Sequence, residues 1–415
     1  MRSTVFIHTN PKQAVGALVA RHALIRNSAA PERFDVRIID TSDFPAFERW
    51  EGKSYLREGK QAAWRNDDLQ SFTPLRFAVP ELMGYEGRAV LTDPDIFAVA
   101  DINTLLERDM GGAAVMARQM EADSRRPLHY ASSVMLLDCA RLGHWHWEED
   151  FDKTFRGERD YRDWMWLLLE PPGSVAPLEP EWNDFDRLTP ETRLLHNTHR
   201  RTQPWKTGLP SDFTPRGTTL SSRAGIWLRR LRGKGAGHYR RHPDPAQERF
   251  FFALLGECLA NGSVPAALLE KEIARGHIRT DAHACIAQAQ RAAALSASRP
   301  IDRRRDAGDG ACPLRIGQRL RPAFADKETG VRQGAMQLAE IAHRGDEAKA
   351  DQPVEGSARQ RVGCALGRGA PARAEPPAPV GLGRQGERRH RPAGQQGLGQ
   401  HRGAVGGDDE AVGEA

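Results

Sequence analysis

Residues 88–97 read RAVLTDPDIF: an apolar run, Ala89-Val90-Leu91, ends abruptly in two aspartates separated by a proline. Carboxylates taken out of water are costly. A strand that runs into Asp93 and Asp95 therefore either emerges into solvent there or meets a cation. The flanking segments place this strand in an alternating chain. TVFIHT (4–9) reads as a buried first strand, PKQAVGALVARHALIRNS (11–28) as a helix with Pro11 in its first turn, and FDVRIID (34–40) as the next strand. FTPLRFAVPELMG (72–84) reads as a helix interrupted near Pro80 and closed by Gly84, and Asp101 suits a helix N-cap in DINTLLERD (101–109). GAAVMAR (112–118), SSVMLLDC (132–139) and RLLHNT (193–198) are further strands, and ARLGHWHWEEDFDKTF (140–155) reads as an aromatic-laden helix. The expected fold class is α/β, with helices on both sides of a sheet.

The chain has 415 residues, enough for one large or two ordinary domains, and a formal net charge of +5, which fits many partners and excludes few. No run of 18 apolar residues is present, so no transmembrane helix is expected. The start, MRSTVFIHTN, enters strand-like sequence after one arginine, without the pattern of a signal peptide. The five cysteines (139, 258, 285, 312 and 364) have no metal-binding spacing and read as reduced thiols of a cytoplasmic protein.

Composition divides the chain. Residues 1–210 form the α/β domain, and residues 211–296 form a basic helical extension containing SSRAGIWLRRLRGKG (221–235) and DPAQERFFFALLGECLANG (244–262). After Phe252 the only aromatic residue is Phe324, and residues 301–415 hold 20 of the 39 glycines, so residues 297–415 are expected to be disordered. This block has the composition of an out-of-frame reading of a GC-rich gene. The alternative is a basic tail that contacts nucleic acid, against which stand its interspersed acids and its lack of a stacking platform. The basic run 229–234 behind Ile226-Trp227-Leu228 is either a solvated helix face or a peripheral contact with an anionic membrane.

In an open α/β sheet, ligands sit outside the carboxyl ends of the strands. Asp93 and Asp95 lie just past such an end, and an i, i+2 pair on an extended stretch points both carboxylates the same way. Two hard oxygen ligands suit Mg²⁺ or Mn²⁺ holding a diphosphate, and Pro94 suits a stretch that stays extended. The competing reading is a solvated strand end with an aspartate capping a turn. A second such pair, Asp184 and Asp186 in DFD, reads as a turn.

Four segments, in order, resemble glycosyltransferase family 8-like proteins, nucleotide-diphospho-sugar transferases of the GT-A superfamily. SFTPLRFAVPELMGYEGRAVLTDPDIFAVADINTLL is similar to their arginine-bearing helix followed by a D-x-D strand end. SSVMLLDCARLGHW is similar to their N-S-G-V-M-L strand, LEPEWND to L-P-x-x-W-N, and LLHNTHRRTQPWKTG to the closing H-x-x-G-x-x-K-P-W. The resemblance covers residues 1–210 and implies a Rossmann-like mixed sheet flanked by helices. It implies a metal-dependent, retaining hexosyltransferase-type enzyme that takes a UDP-sugar to a glycan or lipid-linked acceptor, with no nucleic-acid partner. By the same resemblance Asp93, Asp95 and His196 match the ligands of the divalent metal. Arg76 matches an arginine near the donor sugar or its phosphates, and Asp163 an acidic position near the sugar hydroxyls. Ser132 and Ser133 stand where the family places small polar donor-binding residues.

Gln203 occupies the place of the family's lysine before Pro-Trp, so Lys206, beyond Trp205, is the expected phosphate contact. His199 stands near the family's glycine. His8, Thr9 and Asn10, at the end of the first strand, are either the place of a nucleotide base or a turn before Pro11. On a helix, His144 and His146 (i, i+2) do not share a face, which favours packing over a metal pair. Trp145, Trp147, Trp164 and Trp166 read as core. The remaining alternative is a non-catalytic module that binds a nucleotide or glycan on the same scaffold.

Overall fold

A computed structural model describes residues 2–124, 126–211 and 237–298, all within one compact unit. The basic run 226–234 and the tail beyond 298 lie outside the described residues. The strands are β1 (Ser3–Thr9), β2 (Phe34–Asp40), β3 (Ser54–Arg57), β4 (Lys60–Ala63), β5 (Arg88–Thr92), β6 (Ile96–Ala98), β7 (Val115–Met120), β8 (His129–Asp138), β9 (Val175–Leu178), β10 (Asp184–Phe185) and β11 (Leu194–His196). Six of them form the main sheet in the order β2-β1-β5-β8-β7-β9. All run parallel except β8, which is antiparallel to both of its neighbours. The mixed α/β sheet read from the sequence is therefore the architecture. β3 and β4 form a hairpin, and β6, β10 and β11 form a small second sheet.

Period-two alternation sorts the sheet residues onto two cores. Val5, Ile7, Val90, Val134 and Leu136 face one core, with Val15, Leu18 and Val19 from the helix Ala14–Arg26. Phe6, Ala89, Leu91, Met135 and Leu137 face the other, which is dominated by aromatic rings. There Trp50 meets Phe151 edge to face at 4.3 Å, and Phe77 stacks on Trp164 at 4.4 Å, both favoured ring geometries. Trp145, Trp147, Trp164 and Trp166 are all buried in this layer, as the core reading has it. The helix Pro245–Ala260 packs into the first core through Phe251, Phe252, Leu254 and Leu255, beside Ala14–Arg26.

Two local expectations change. The helix expected over 140–155 begins only at Trp147, after a short 3-10 turn at Cys139–Arg141. His144 and His146 thus precede it, and His144 Nε2 lies 2.9 Å from Glu170. Within 72–84 the arginine-bearing part, Thr73–Ala78, is a 3-10 helix, and Pro80 sits in the first turn of the short α-helix Val79–Leu82, where its missing N–H costs nothing.

The order of strands fixes the place of the site. From β1 the chain moves to β2 on one side, then crosses to β5 on the other. This reversal opens a crevice at the carboxyl ends of β1 and β5. The helix Ala14–Arg26 closes one wall so tightly that a Cβ on Gly16 would lie 2.8 Å from the Pro94 carbonyl oxygen.

Asp40 ends β2 at the same edge. Its Oδ1 accepts the N–H and O–H of Ser42 at 2.9 and 2.8 Å, while its buried Oδ2 accepts no hydrogen bond among the described residues. Burial raises its pKa to about 6, against the lowering effect of the Ser42 bonds. The unfolded chain binds fewer protons than the folded one between pH 4 and 6, so stability falls as pH rises through that window. Asp40→Asn should remove this slope and gain on the order of 2–3 kcal/mol at pH 7, as urea unfolding across pH 4–7 will read.

Candidate metal centre

Register places the site residues level with one another. Ile7 pairs with Thr92, so the next residues, His8 and Asp93, face across β1 and β5. The pairing of Thr92 with Val134 continues one step, and the Asp93 N–H donates to the Ser133 carbonyl at 3.1 Å. His196 pairs with Ile96, and the Asn197 N–H donates to the Asp95 carbonyl at 3.2 Å. The result is a buried trio, Asp93, Asp95 and His196, whose ligand atoms all lie within 4.8 Å of one another. Pro94 does not keep the pair extended as expected. Residues 93–96 form a turn in which the Ile96 N–H donates to the Asp93 carbonyl at 3.3 Å, with Pro94 at the position such turns favour. The turn, rather than a straight strand, brings both carboxylates to one side.

Asp93 is held by Arg76. The guanidinium donates through Nη2 to Asp93 Oδ2 at 2.6 Å and through Nη1 to Ser132 Oγ at 2.9 Å, and Ser132 Oγ donates to the Met165 carbonyl at 2.5 Å. His8 Nε2 stands 3.0 Å from Asp93 Oδ1 without the alignment of a hydrogen bond. Burial drives the Asp93 carboxyl upward, but the charge of Arg76, then that of His8, overcomes it and holds the group near 2. Burial also lowers the His8 imidazole below its ordinary value despite Asp93. Asp93 is therefore ionised at neutral pH, and Arg76 is its principal counter-charge.

Asp95 has a different setting. Gln203 Nε2 donates to its Oδ2 at 3.1 Å, and its buried Oδ1 accepts no hydrogen bond among the described residues. His196 Nε2 lies 3.5 Å from that oxygen. On the far side of the ring, His196 Nδ1 is 2.8 Å from Asn183 Oδ1, an acceptor, so the neutral imidazole carries its proton on Nδ1 and presents a lone pair at Nε2. Two acceptors, Asp95 Oδ1 and His196 Nε2, then face each other in a buried cavity, an arrangement that a divalent cation satisfies. The residues present fit a metal of the Mn²⁺ or Mg²⁺ kind, with two carboxylates and one imidazole.

The cavity is narrow and lined by Gln13, Gln70, Phe72, Arg200 and Gln203 as well as the trio. Arg200, not singled out from the sequence, sends Nη2 to Gln70 Oε1. Lys206 does not line it. It is fully buried in the turn Pro204–Lys206, with its ammonium 5.5 Å from the centre of the Tyr239 ring. Asp163 also stands apart, paired with Arg162 at 3.3 Å. His8 and Thr9 are wholly buried and do not line the cavity, and Phe72, at the end of the segment 68–72, packs on His8 with ring centres 4.8 Å apart. Asn10 Nδ2 grips that segment at the carbonyls of Asp68 and Leu69, both at 3.2 Å, and at Ser71 Oγ at 3.0 Å. The DFD stretch is more than a turn. Asp184 starts the short strand β10, while Asp186 accepts the Thr198 hydroxyl and, at 3.4 Å, the His199 N–H, and so anchors the loop that carries Arg200 and Gln203. Burial raises the Asp186 carboxyl, but the neighbouring His242 imidazole, 3.7 Å away, and the Thr198 hydroxyl outweigh this and hold it below the usual range.

Among solved structures the chain is similar to the glycosyltransferase GlyE of Streptococcus pneumoniae, at 14% identity and TM-score 0.36 over 63% of this chain and 64% of that one. It is similar to the galactosyltransferase LgtC, solved with donor and acceptor sugar analogues, at 12% identity and TM-score 0.36 over 56% and 96%. It is also similar to mouse xyloside xylosyltransferase 1, at 14% identity and TM-score 0.32 over 48% and 98%. No protein-family model matches the chain, and no curated protein matches it. No helix among the described residues is long and apolar enough to cross a membrane.

Removing Arg76 leaves Asp93 buried without its main counter-charge. Arg76→Met should cost about 3–5 kcal/mol in urea unfolding at pH 7. Adding Asp93→Asn to that variant should recover a large part of the loss. A double variant as unstable as the sum of the two single ones would show that the pair is not coupled.

Proposed function

We propose that the chain is a metal-dependent glycosyltransferase of the family 8-like kind, which moves a sugar from a nucleotide-diphosphate donor, UDP-linked, to a glycan or lipid-linked acceptor. The observation that carries this reading is the convergence of Asp93, Asp95 and His196 at the strand-order reversal, with acceptor atoms facing each other in a cavity that also receives Arg200. Such a donor is an anionic diphosphate, and its departure from the sugar builds negative charge. A bound divalent cation would supply Lewis-acid neutralisation of that charge. The chain's own part is to hold the carboxylates ionised and aimed, through Arg76 on Asp93 and Gln203 on Asp95. Arg200, whose fork suits phosphate oxygens, adds a fixed positive charge at the same mouth. It takes the role expected of Lys206, which is buried elsewhere.

The carboxylates lining the cavity are the two metal-site aspartates, so none of its described residues is left to act as a glycosyl nucleophile. A front-side displacement with retention needs none, in keeping with the outcome implied by the sequence resemblance. A second reading, a non-catalytic module that binds nucleotide or glycan, is favoured by one observation: the first-strand residues His8 and Thr9 are covered by the chain's own segment.

Asp95→Ala should abolish Mn²⁺-dependent release of UDP from UDP-sugars while leaving the thermal midpoint nearly unchanged, since Asp95 is bonded to a neutral amide and to no fixed cation. Full turnover by this variant in the presence of a chelator would sink the metal-dependent assignment. Nucleotide-sugar binding by calorimetry without hydrolysis or transfer would select the second reading. Arg200→Ala should lower kcat/KM for the donor by roughly tenfold to a hundredfold, the loss of one charge-assisted contact, and Lys206→Met should leave donor binding intact.

A further inference from the structure

Asn183 ends the WN pair of LEPEWND, a stretch to which the sequence assigns no chemistry. Its side chain is completely buried, and its backbone carbonyl is pinned by Arg118 Nη1 at 2.6 Å. The carboxamide is committed at both ends. Nδ2 donates to Ser133 Oγ at 2.9 Å, and Oδ1 faces His196 Nδ1 at 2.8 Å. Ser133 in turn accepts the Asp93 N–H at its own carbonyl. One residue of β8 therefore ties the Asp93 backbone directly and His196 through a single amide.

We infer that Asn183 is a positioning residue, anchored by Ser133, that selects the His196 tautomer and so keeps the cation site open. This rests on the metal-centre reading above. The alternative tautomer is the reason a selector is needed. With its proton on Nε2, His196 would turn a donor toward Asp95 Oδ1, 3.5 Å away, and a small shift would pair the two and close the site. The acceptor at Asn183 Oδ1 places the proton on Nδ1 instead and leaves Nε2 and Asp95 Oδ1 as a pair of unsatisfied acceptors. Partners behind a ligating histidine fix its ring and tautomer in this way, and losing one weakens metal binding.

The test uses the full metal-free chain labelled with ¹⁵N-histidine, with the His196 signals identified by their loss in His196→Gln. Long-range ¹H–¹⁵N correlations should show the proton on Nδ1 in the parent chain and in Asn183→Asp, which keeps an acceptor, and on Nε2 in Asn183→Leu. Mn²⁺ binding followed by electron paramagnetic resonance should weaken roughly tenfold to a hundredfold in Asn183→Leu. Ser133→Ala, which frees the amide without removing it, should weaken binding less, and it serves where Asn183→Leu does not fold. Parent-chain His196 protonated on Nε2, or Mn²⁺ binding undiminished in both Asn183→Leu and Ser133→Ala, would overturn the inference alone. A parent chain that takes up no Mn²⁺ would overturn the metal reading and this inference with it.

Discussion

Two carboxylates are buried side by side at the point where the strand order reverses, and the surrounding structure answers that electrostatic cost. Burial alone would push Asp93 toward neutrality. Arg76 prevents this, at 2.6 Å and with its second nitrogen on Ser132. Arg76 can reach only because Leu75 and Phe77 anchor its 3-10 helix in the aromatic layer. The aromatic core, which carries no chemistry of its own, thus sets the position of the one guanidinium that keeps Asp93 charged. Asp95 meets no such fixed cation, only the amide of Gln203. The asymmetry leaves the unmet demand for positive charge at Asp95 and His196, a setting compatible with a bound cation.

Much of this was legible in the sequence because it follows from period and register. The apolar runs in TVFIHT, RAVLT and SSVMLLD read as buried strands, and the parallel pairing of β1 with β5 brings the end of one beside the end of the other. The resemblance also anticipated that Asp93, Asp95 and His196 would come together, and the three do cluster. What was not legible depends on three-dimensional packing. HWHW has helix-compatible letters, yet the helix starts only at its last residue, Trp147, since Trp145 is buried in the aromatic layer and its Nε1 donates to Glu170 at 2.9 Å. No local pattern encodes that pull.

The place of Lys206 depends on packing in the same way. Between His196 and Trp205 the chain carries one residue more than the motif it resembles. Counting along the sequence makes Lys206 the nearest basic residue past the tryptophan. In space the loop is pinned at Thr198 and His199 by Asp186. Gln203 then faces Asp95, Arg200 turns into the cavity, and Lys206 is carried under Tyr239. The signal that could have found Arg200 was DFD, read as an idle turn because its partners lie 12 and 13 residues away.

The same pinning bears on how a donor could enter. Asn10 and Gln13 hold the segment over β1 at Leu69, both through side-chain amides donating to its carbonyl, and Arg200 holds it at Gln70. None of these ties is an apolar anchor. Each exchanges for water at small net cost, unlike the burial of Phe72 against His8. A diphosphate arriving at the trio would compete for Arg200, and pairing the guanidinium with an anionic phosphate outweighs its bond to the neutral amide of Gln70. If the donor binds as proposed, its binding and the release of the segment are linked in part through Arg200, one of the residues that hold the cover.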